Sequence, residues 1–180
     1  MENVMKKFLT CVLALSMTYT TVYAEDADIA GALDHPDRPS ADKENDARRM
    51  PLEVLEFAGL QTGMSVLELE AGGGYYTEII SRAVGGDGNV ILQHAPGLMG
   101  FVGDGIDVRT AGGRLGNVEV SITDFDALAA ADNSVDLVTW IQGPHELGFA
   151  PEGKSLGDPA KAFREIARVL KPGGLLIASD

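Results

Sequence analysis

Two places in this 180-residue chain combine residue types that can do chemistry. The first is Gly72-Gly73-Gly74, set in the run VLELEAGGGYYTEI (Val66 to Ile79). Glycines at such a place let the backbone approach a ligand closely and adopt conformations that a side chain forbids. A G-x-G-x-x-G dinucleotide fingerprint read from Gly72 needs glycine at position 77, which is Thr77, so an NAD or FAD site is disfavoured. No Gly-Lys-Ser/Thr follows, which excludes a P-loop. The second place is His145-Glu146, in TWIQGPHELGF. An imidazole there can act as a general base near neutral pH, with Glu146 to orient it or to meet a substrate. The same pair on an exposed loop would be inert. The three histidines lack H-x-x-x-H spacing, which argues against a metal centre. His35, between Asp34 and Pro36, reads as a surface residue.

These residues must be positioned by alternating strands and helices. Ser65 to Leu69 is a short apolar run that enters the glycine cluster. Tyr76, Ile79, Ile80 and Ala83 recur with helical spacing, so Tyr75 to Val84 is an amphipathic helix stopped by Gly85-Gly86. Val90 to Leu92, Val118 to Ile122, Val135 to Trp140 and Leu175 to Ala178 read as further strands. Asp158-Pro159 opens a helix with Phe163, Ile166, Ala167 and Leu170 on its apolar face, and Lys171-Pro172-Gly173-Gly174 ends it. Trp140 reads as core. The stretch His94 to Gly116 holds seven glycines in 23 residues, so helices there are short. Ala41 to Phe57 is helical, broken where Pro51 opens a second piece, and Gly59 ends it. Residues 25–40, with Pro36 and Pro39, read as an extended lead-in. Apolar strands alternating with amphipathic helices imply an α/β domain: a Rossmann-like, doubly wound, mostly parallel sheet with helices on both faces. Ligands bind such sheets at the carboxyl ends of their strands.

The three blocks around these elements resemble the class I S-adenosylmethionine-dependent methyltransferases. VLELEAGGGYYTE is similar to their first motif, an acidic residue followed by x-G-x-G-x-G. NVEVSITDFDALAAADNSVDLVTW (Asn117 to Trp140) is similar to the middle of that domain, and AFREIARVLKPGGLLIASD (Ala162 to Asp180) to its fifth-strand block. The lead-in DHPDRPSADKENDARRMPLEVLEFAGL (Asp34 to Leu60) looks like an exported bacterial subgroup of predicted methyltransferases. The resemblance implies S-adenosyl-L-methionine as cofactor and a small-molecule or protein methyl acceptor. It implies that Glu68 organises the loop under the methionine part, that Ala71, Gly72 and Gly74 let the backbone lie against the ligand, and that Asp124 and Phe125 hold the adenine. The acid that grips the ribose falls at His94, where an imidazole cannot clasp two hydroxyls, so weaker cofactor binding is expected. Glu70 stands where the family has its first glycine. An acidic loop suits a positive sulfonium, provided that the side chain leaves the methionine pocket open. Catalysis in this class needs mainly alignment of the acceptor, with His145 and Glu146 as the candidate catalytic pair.

Composition bounds the rest. Lys and Arg number 14 against 27 Asp and Glu, a net charge of −13, which argues against nucleic-acid and anionic-lipid partners. The start, MENVMKKFLTCVLALSMTYTTVYAED, has Lys6 and Lys7, an apolar run from Phe8 to Leu15, and Val22-Tyr23-Ala24. It reads as an export signal, residues 1–24, cleaved after Ala24, with the product in the periplasm and not in a membrane. Cys11, the one cysteine, lies inside it. The methyltransferase-like domain then covers 41–180 and is expected to be incomplete after its fifth strand. Export away from the cytoplasm, where the cofactor is made, opens a second reading: a non-catalytic Rossmann-like domain that binds a nucleoside-like or other small ligand.

Overall fold

The computed structural model describes residues 25–180, so the export signal lies outside the described residues. Five strands, β1 (Ser65–Glu68), β2 (Asn89–His94), β3 (Val118–Ile122), β4 (Val135–Ile141) and β5 (Leu170–Ser179), form one sheet in the order β3-β2-β1-β4-β5. Every pairing is parallel. The chain winds outward from β1 to one side, then returns to lay β4 on the other. Strand order therefore reverses beside β1, and the loops after β1 and β4 diverge there to leave a crevice.

Alternate side chains of the inner strands serve two cores, as expected for a sheet covered on both faces. Val66, Val90 and Leu137 pack against Leu55 of α3 (Pro51–Phe57) and against Ile79, Ile80 and Val84 of α4 (Tyr75–Val84). Leu67, Ile91 and Val138 face the other way, onto Phe125 and onto Ala162, Ile166 and Val169 of α7 (Pro159–Val169). Helix α4 starts at Gly74 (φ 78°) and stops at Gly85 (φ 74°), two left-handed positions that glycine occupies without a Cβ penalty. Asp158 caps α7 by accepting from the Lys161 amide at 2.8 Å. Among the described residues no helix is long and apolar enough to cross a membrane.

Three sequence expectations change. The lead-in is not wholly extended: Ile29–Asp34 forms α1, capped by Asp28, whose carboxylate accepts from the Gly31 amide at 2.8 Å. Ile29 and Ala32, three apart, bury against α4 and supply the apolar contact that fixes this turn and a half. Helix α7 is rotated from its expected face. Ala162, Ile166 and Val169 point inward, and Phe163 is 53% exposed with its ring centroid 6.4 Å from that of Trp140. Finally, β5 begins at Leu170. The Lys171-Pro172-Gly173-Gly174 segment joins the sheet through a register shift opposite Val135 and Leu137, with Gly173 at φ 86°. The connection after β2 holds only short helices, α5 (Met99–Val102) and α6 (Gly105–Thr110), as its glycine content requires. The helical stretch before β1 breaks at Met50, giving α2 (Ser40–Arg49) and α3.

Candidate functional site

The crevice is built by the loop between β1 and α4. Leu69 donates its amide to the Thr139 carbonyl at 2.8 Å, so the loop leaves the sheet pinned to β4. Gln93, fully buried in β2, then takes over. Its side-chain oxygen accepts from the Glu70 amide and its backbone carbonyl from the Ala71 amide, each at 3.0 Å, while its amide group donates to the Thr123 carbonyl. A glutamine directly after the apolar run Val90-Ile91-Leu92 was the visible signal for this residue, which the sequence reading passed over. The backbone is left-handed at Glu70 (φ 51°), Gly72 (φ 56°) and Gly74 (φ 78°). A Cβ at Gly72 or Gly73 would meet nothing within 4 Å, so the loop presents bare backbone to open space.

Two cavities meet on that backbone and share Glu70, Gly72 and Gly73. The larger, about 530 Å³, is completed by His94, Leu98, Phe101, Val102, Glu146 and Phe149. The smaller, about 310 Å³, lies toward α2 and includes Glu68, Ala71, Asp42, Arg49, Arg109 and Gln142. These volumes suit a small ligand. Glu68, at the end of β1, is 4% exposed and accepts a hydrogen bond from the Thr77 hydroxyl. Burial pushes its carboxyl up to about 8 against the opposing pull of that bond. Glu70 is raised to about 7, by burial first and by the charge of Glu146 second. His94 is 3% exposed, and neither of its ring nitrogens has a hydrogen-bond partner; burial holds its pKa below the ordinary value, in the neutral form. Arg49 makes no ion pair among the described residues; its guanidinium lies 4.6 Å above the Tyr75 ring. No cluster of metal-ligating side chains occurs among the described residues.

Of the residues singled out from sequence, Glu68, Glu70, Ala71, Gly72, His94 and Glu146 come together around these cavities. Gly74 turns the chain into α4. His145 stands at the rim on an exposed turn, its Nδ1 against Asp180 and its Nε2 3.4 Å from Glu146. Asp180 foremost raises its pKa. Asp124 and Phe125 line neither cavity. Phe125 is buried beneath Trp140, with ring centroids 5.1 Å apart, and its amide donates to the Leu156 carbonyl at 3.0 Å. Leu156, itself buried, closes that side of the crevice over Gly97, where a Cβ would come within 2.7 Å of its side chain. His35 is half-buried, with Arg82 3.0 Å from Nε2. Arg49, Asp42 and Arg109 escaped the sequence reading, because only the fold brings α2 and α6 to the glycine loop.

Two family models match the chain: one described as a methyltransferase domain over residues 102–178, and one described as protein-L-isoaspartate(D-aspartate) O-methyltransferase over residues 28–125, more than half of the chain. The chain belongs to the class I S-adenosylmethionine-dependent methyltransferases. Its relatives in this family include the ubiquinone/menaquinone biosynthesis C-methyltransferase UbiE of Hydrogenovibrio crunogenus, 37% identical over 71% of this chain and 46% of the relative. The protein of the same description from Enterobacter sp. is 30% identical over 89% of this chain and 62% of that one. The chain thus spans about half to three-fifths of the length of these two relatives. Among solved structures, a SAM-dependent methyltransferase from Aquifex aeolicus superposes with a TM-score of 0.58 at 28% identity, covering 75% of this chain and 68% of that one. A putative methyltransferase in complex with its Trm112 activator from Haloferax volcanii shares the fold, with a TM-score of 0.55 at 23% identity over 86% and 60% of the two chains.

The family cofactor carries an amino-acid head, a sulfonium, a ribose diol and a base, and the residues present fit the first three. Arg49 without a carboxylate partner can hold a carboxylate, and the buried carboxyls of Glu68 and Glu70 favour positive groups. His94, with two unpartnered ring nitrogens, has hydrogen bonds to give a hydroxyl.

Proposed function

We propose that the chain is an S-adenosylmethionine-dependent methyltransferase acting on an apolar small-molecule acceptor. One observation carries the reading: the unpartnered His94 nitrogens, the buried carboxyls of Glu68 and Glu70, and the bare backbone of Gly72-Gly73 converge on one pair of cavities at the carboxyl ends of β1 and β2. S-Adenosylmethionine, when bound, supplies a methyl group made electrophilic by a sulfonium. Arg49 and Glu68 would hold its amino-acid end, and His94 its ribose hydroxyls. The acceptor would enter past Phe101 and Phe149, whose rings stand 6.4 Å apart and border both the larger cavity and a neighbouring one of about 550 Å³. That aromatic entrance favours a flat apolar ring, and the UbiE relatives, named as quinone-biosynthesis C-methyltransferases, support the same class.

The chain's own task is then to orient the acceptor, exclude water and remove a proton. His145 keeps a proton on Nδ1 toward Asp180 and offers Nε2, next to Glu146, as the atom that accepts the acceptor's proton. Two flanking carboxylates stabilise the resulting imidazolium. Because its pKa is raised, His145 works as a base on the alkaline side, and turnover that depends on it rises with pH. Loss of turnover in His145→Ala, with cofactor affinity unchanged, is the expected result. An export signal in residues 1–24 would put this activity in the periplasm.

The first test is thermal unfolding with and without S-adenosylmethionine and its demethylated product. A ligand at 100 times its dissociation constant adds about 2.7 kcal/mol. No shift in a cooperatively folding sample would defeat the reading. Stabilisation without turnover on any ring acceptor would favour a binding domain that has lost transfer.

A further inference from the structure

Glu70 occupies a backbone position that asks for glycine. Its φ of 51° is left-handed, and the carboxylate adds nothing to the turn: the loop is held through the Glu70 amide on Gln93. Its Oε2 is buried, and the donor beside it is the neutral Trp140 indole N–H. The side chain borders both cavities at once. The groups facing it are mostly wrong for it. Glu146 is a second carboxylate, Asp180 a third, and the Trp140 indole brings no charge. His145 is the nearby cation, but it is exposed and already shared between Glu146 and Asp180. Arg49 borders the smaller cavity with it but lies over Tyr75, and Arg109 there is taken by Asp42 and Glu78. A buried carboxylate held by a neutral donor alone is unfavourable unless a ligand brings the missing charge. Independently, His94, buried with neither ring nitrogen paired, lines the same larger cavity and marks it as a ligand site rather than a chance acidic cluster.

We propose that Glu70 is a counter-ion built into the glycine loop, and that it makes the cavity hold the cationic sulfonium cofactor in preference to the neutral thioether left after transfer. The inference rests on the methyltransferase reading and deepens it. Product would leave such a site readily because the charge that Glu70 met is gone. Since Glu70 is raised to about 7, the preference is present above that pH and fades below it, as the carboxyl becomes neutral.

The test is calorimetric titration of the full chain with S-adenosylmethionine, with the thioether S-adenosylhomocysteine, and with sinefungin, which carries an amine in place of the sulfonium. At pH 8 the wild type should bind both cations at least tenfold more tightly than the thioether, and this ratio should shrink toward one at pH 6. In Glu70→Gln the ratio should be near one at both pH values. Glu70→Gly is the second variant. It gives the left-handed position the residue it favours, so it should fold, and its ratio should also collapse. An equal ratio in wild type and both variants would overturn the inference while leaving the methyltransferase reading intact. A folded wild type that binds none of the three would overturn both.

Discussion

Two buried glutamates, Glu68 and Glu78, lie on either side of the glycine loop and meet opposite treatment. Glu78, in the first turn of α4, is completely buried and surrounded by arginines: Arg82 at 2.9 Å, Arg109 at 2.6 Å and Arg114 at 2.7 Å. Burial alone would raise its pKa, but the three guanidiniums outweigh it and hold the carboxyl at about 2. Glu68 is almost as buried and has one hydroxyl, that of Thr77. Saturation of this kind belongs to architecture. Arg114 and Arg109 also reach the Asp37 carbonyl and the Asp42 carboxylate, so the cluster ties the chain before α2 and α2 itself onto α4 and α6. The deficit around Glu68, Glu70 and His94 belongs to a site that expects a ligand. One turn of chain separates the two regimes.

The sharpest way to break this comparison is Glu78→Ala. Three arginines would lose their common partner in a largely buried setting, and removal of one side of such a cluster costs about 3–5 kcal/mol. Urea unfolding measures it. A loss under about 1 kcal/mol would mean that the arginines simply turn to water, and the cluster would not be architectural.

On the deficient side, Gly143→Ala tests how closely Glu70 is held. A Cβ there would come within 2.5 Å of the Trp140 indole nitrogen and 2.7 Å of Glu70 Oε2. The backbone of Gly143 is at φ −129°, open to any residue, so the cost is purely one of packing, about 1–3 kcal/mol. Unchanged stability would show that the Glu70 carboxylate swings freely.

The two glutamates also predict opposite pH limbs. Glu78 falls from 4.5 unfolded to about 2 folded, so its stabilisation is present above pH 4.5 and lost as pH drops toward 2. Glu68 rises from 4.5 to about 8, so the fold favours its neutral form. Its contribution is full below pH 4.5 and declines as pH climbs to about 8. Glu68→Gln, which still accepts from Thr77, should therefore lose less stability than wild type between pH 5 and pH 8. Parallel curves for the two proteins would show that Glu68 is ionised in the fold, and the deficit would not exist at that residue.

What the sequence made legible follows the same division. Local signals carried the fold: a glycine-bounded apolar period placed α4 at Tyr75 to Val84, and a β-branched run placed β3 at Val118 to Ile122, both as found. Where tertiary contacts decide, reading along the chain fell short. A short, mostly polar lead-in gave no hint of α1, and α7 turned Phe163 outward because the small Ala162 packs against the sheet. The first motif led directly to Glu68, Glu70 and Gly72, and the expected place of the ribose-gripping acid led to His94. Of the arginines on Glu78, Arg82 has the i,i+4 spacing of a helix pair, but Arg109 and Arg114 lie 31 and 36 residues away, and charge pairs at that distance leave no pattern in a linear chain. Arg49 was hidden for the same reason.

Arg49 offers the smallest change in stability and the most direct reading of the deficit. It has no ion pair among the described residues, lies over Tyr75 and borders the smaller cavity with Glu68 and Glu70. If it is a surface cation stacked on a ring, Arg49→Met removes one cation–π contact worth roughly 0.5–1 kcal/mol, and methionine recovers part of that by packing against Tyr75. If it awaits a carboxylate, the stability change stays below about 1 kcal/mol while affinity for S-adenosylhomocysteine falls by about tenfold or more, the size of a lost charged hydrogen bond. Methylthioadenosine, which lacks the amino-acid head, supplies the control: its affinity should not move. Equal losses for both ligands would assign Arg49 to the general shape of the loop. A loss confined to the ligand with the carboxylate would place the amino-acid end in the smaller cavity, and would leave the mouth of the larger one, between Glu146 and the two phenylalanines, to the acceptor.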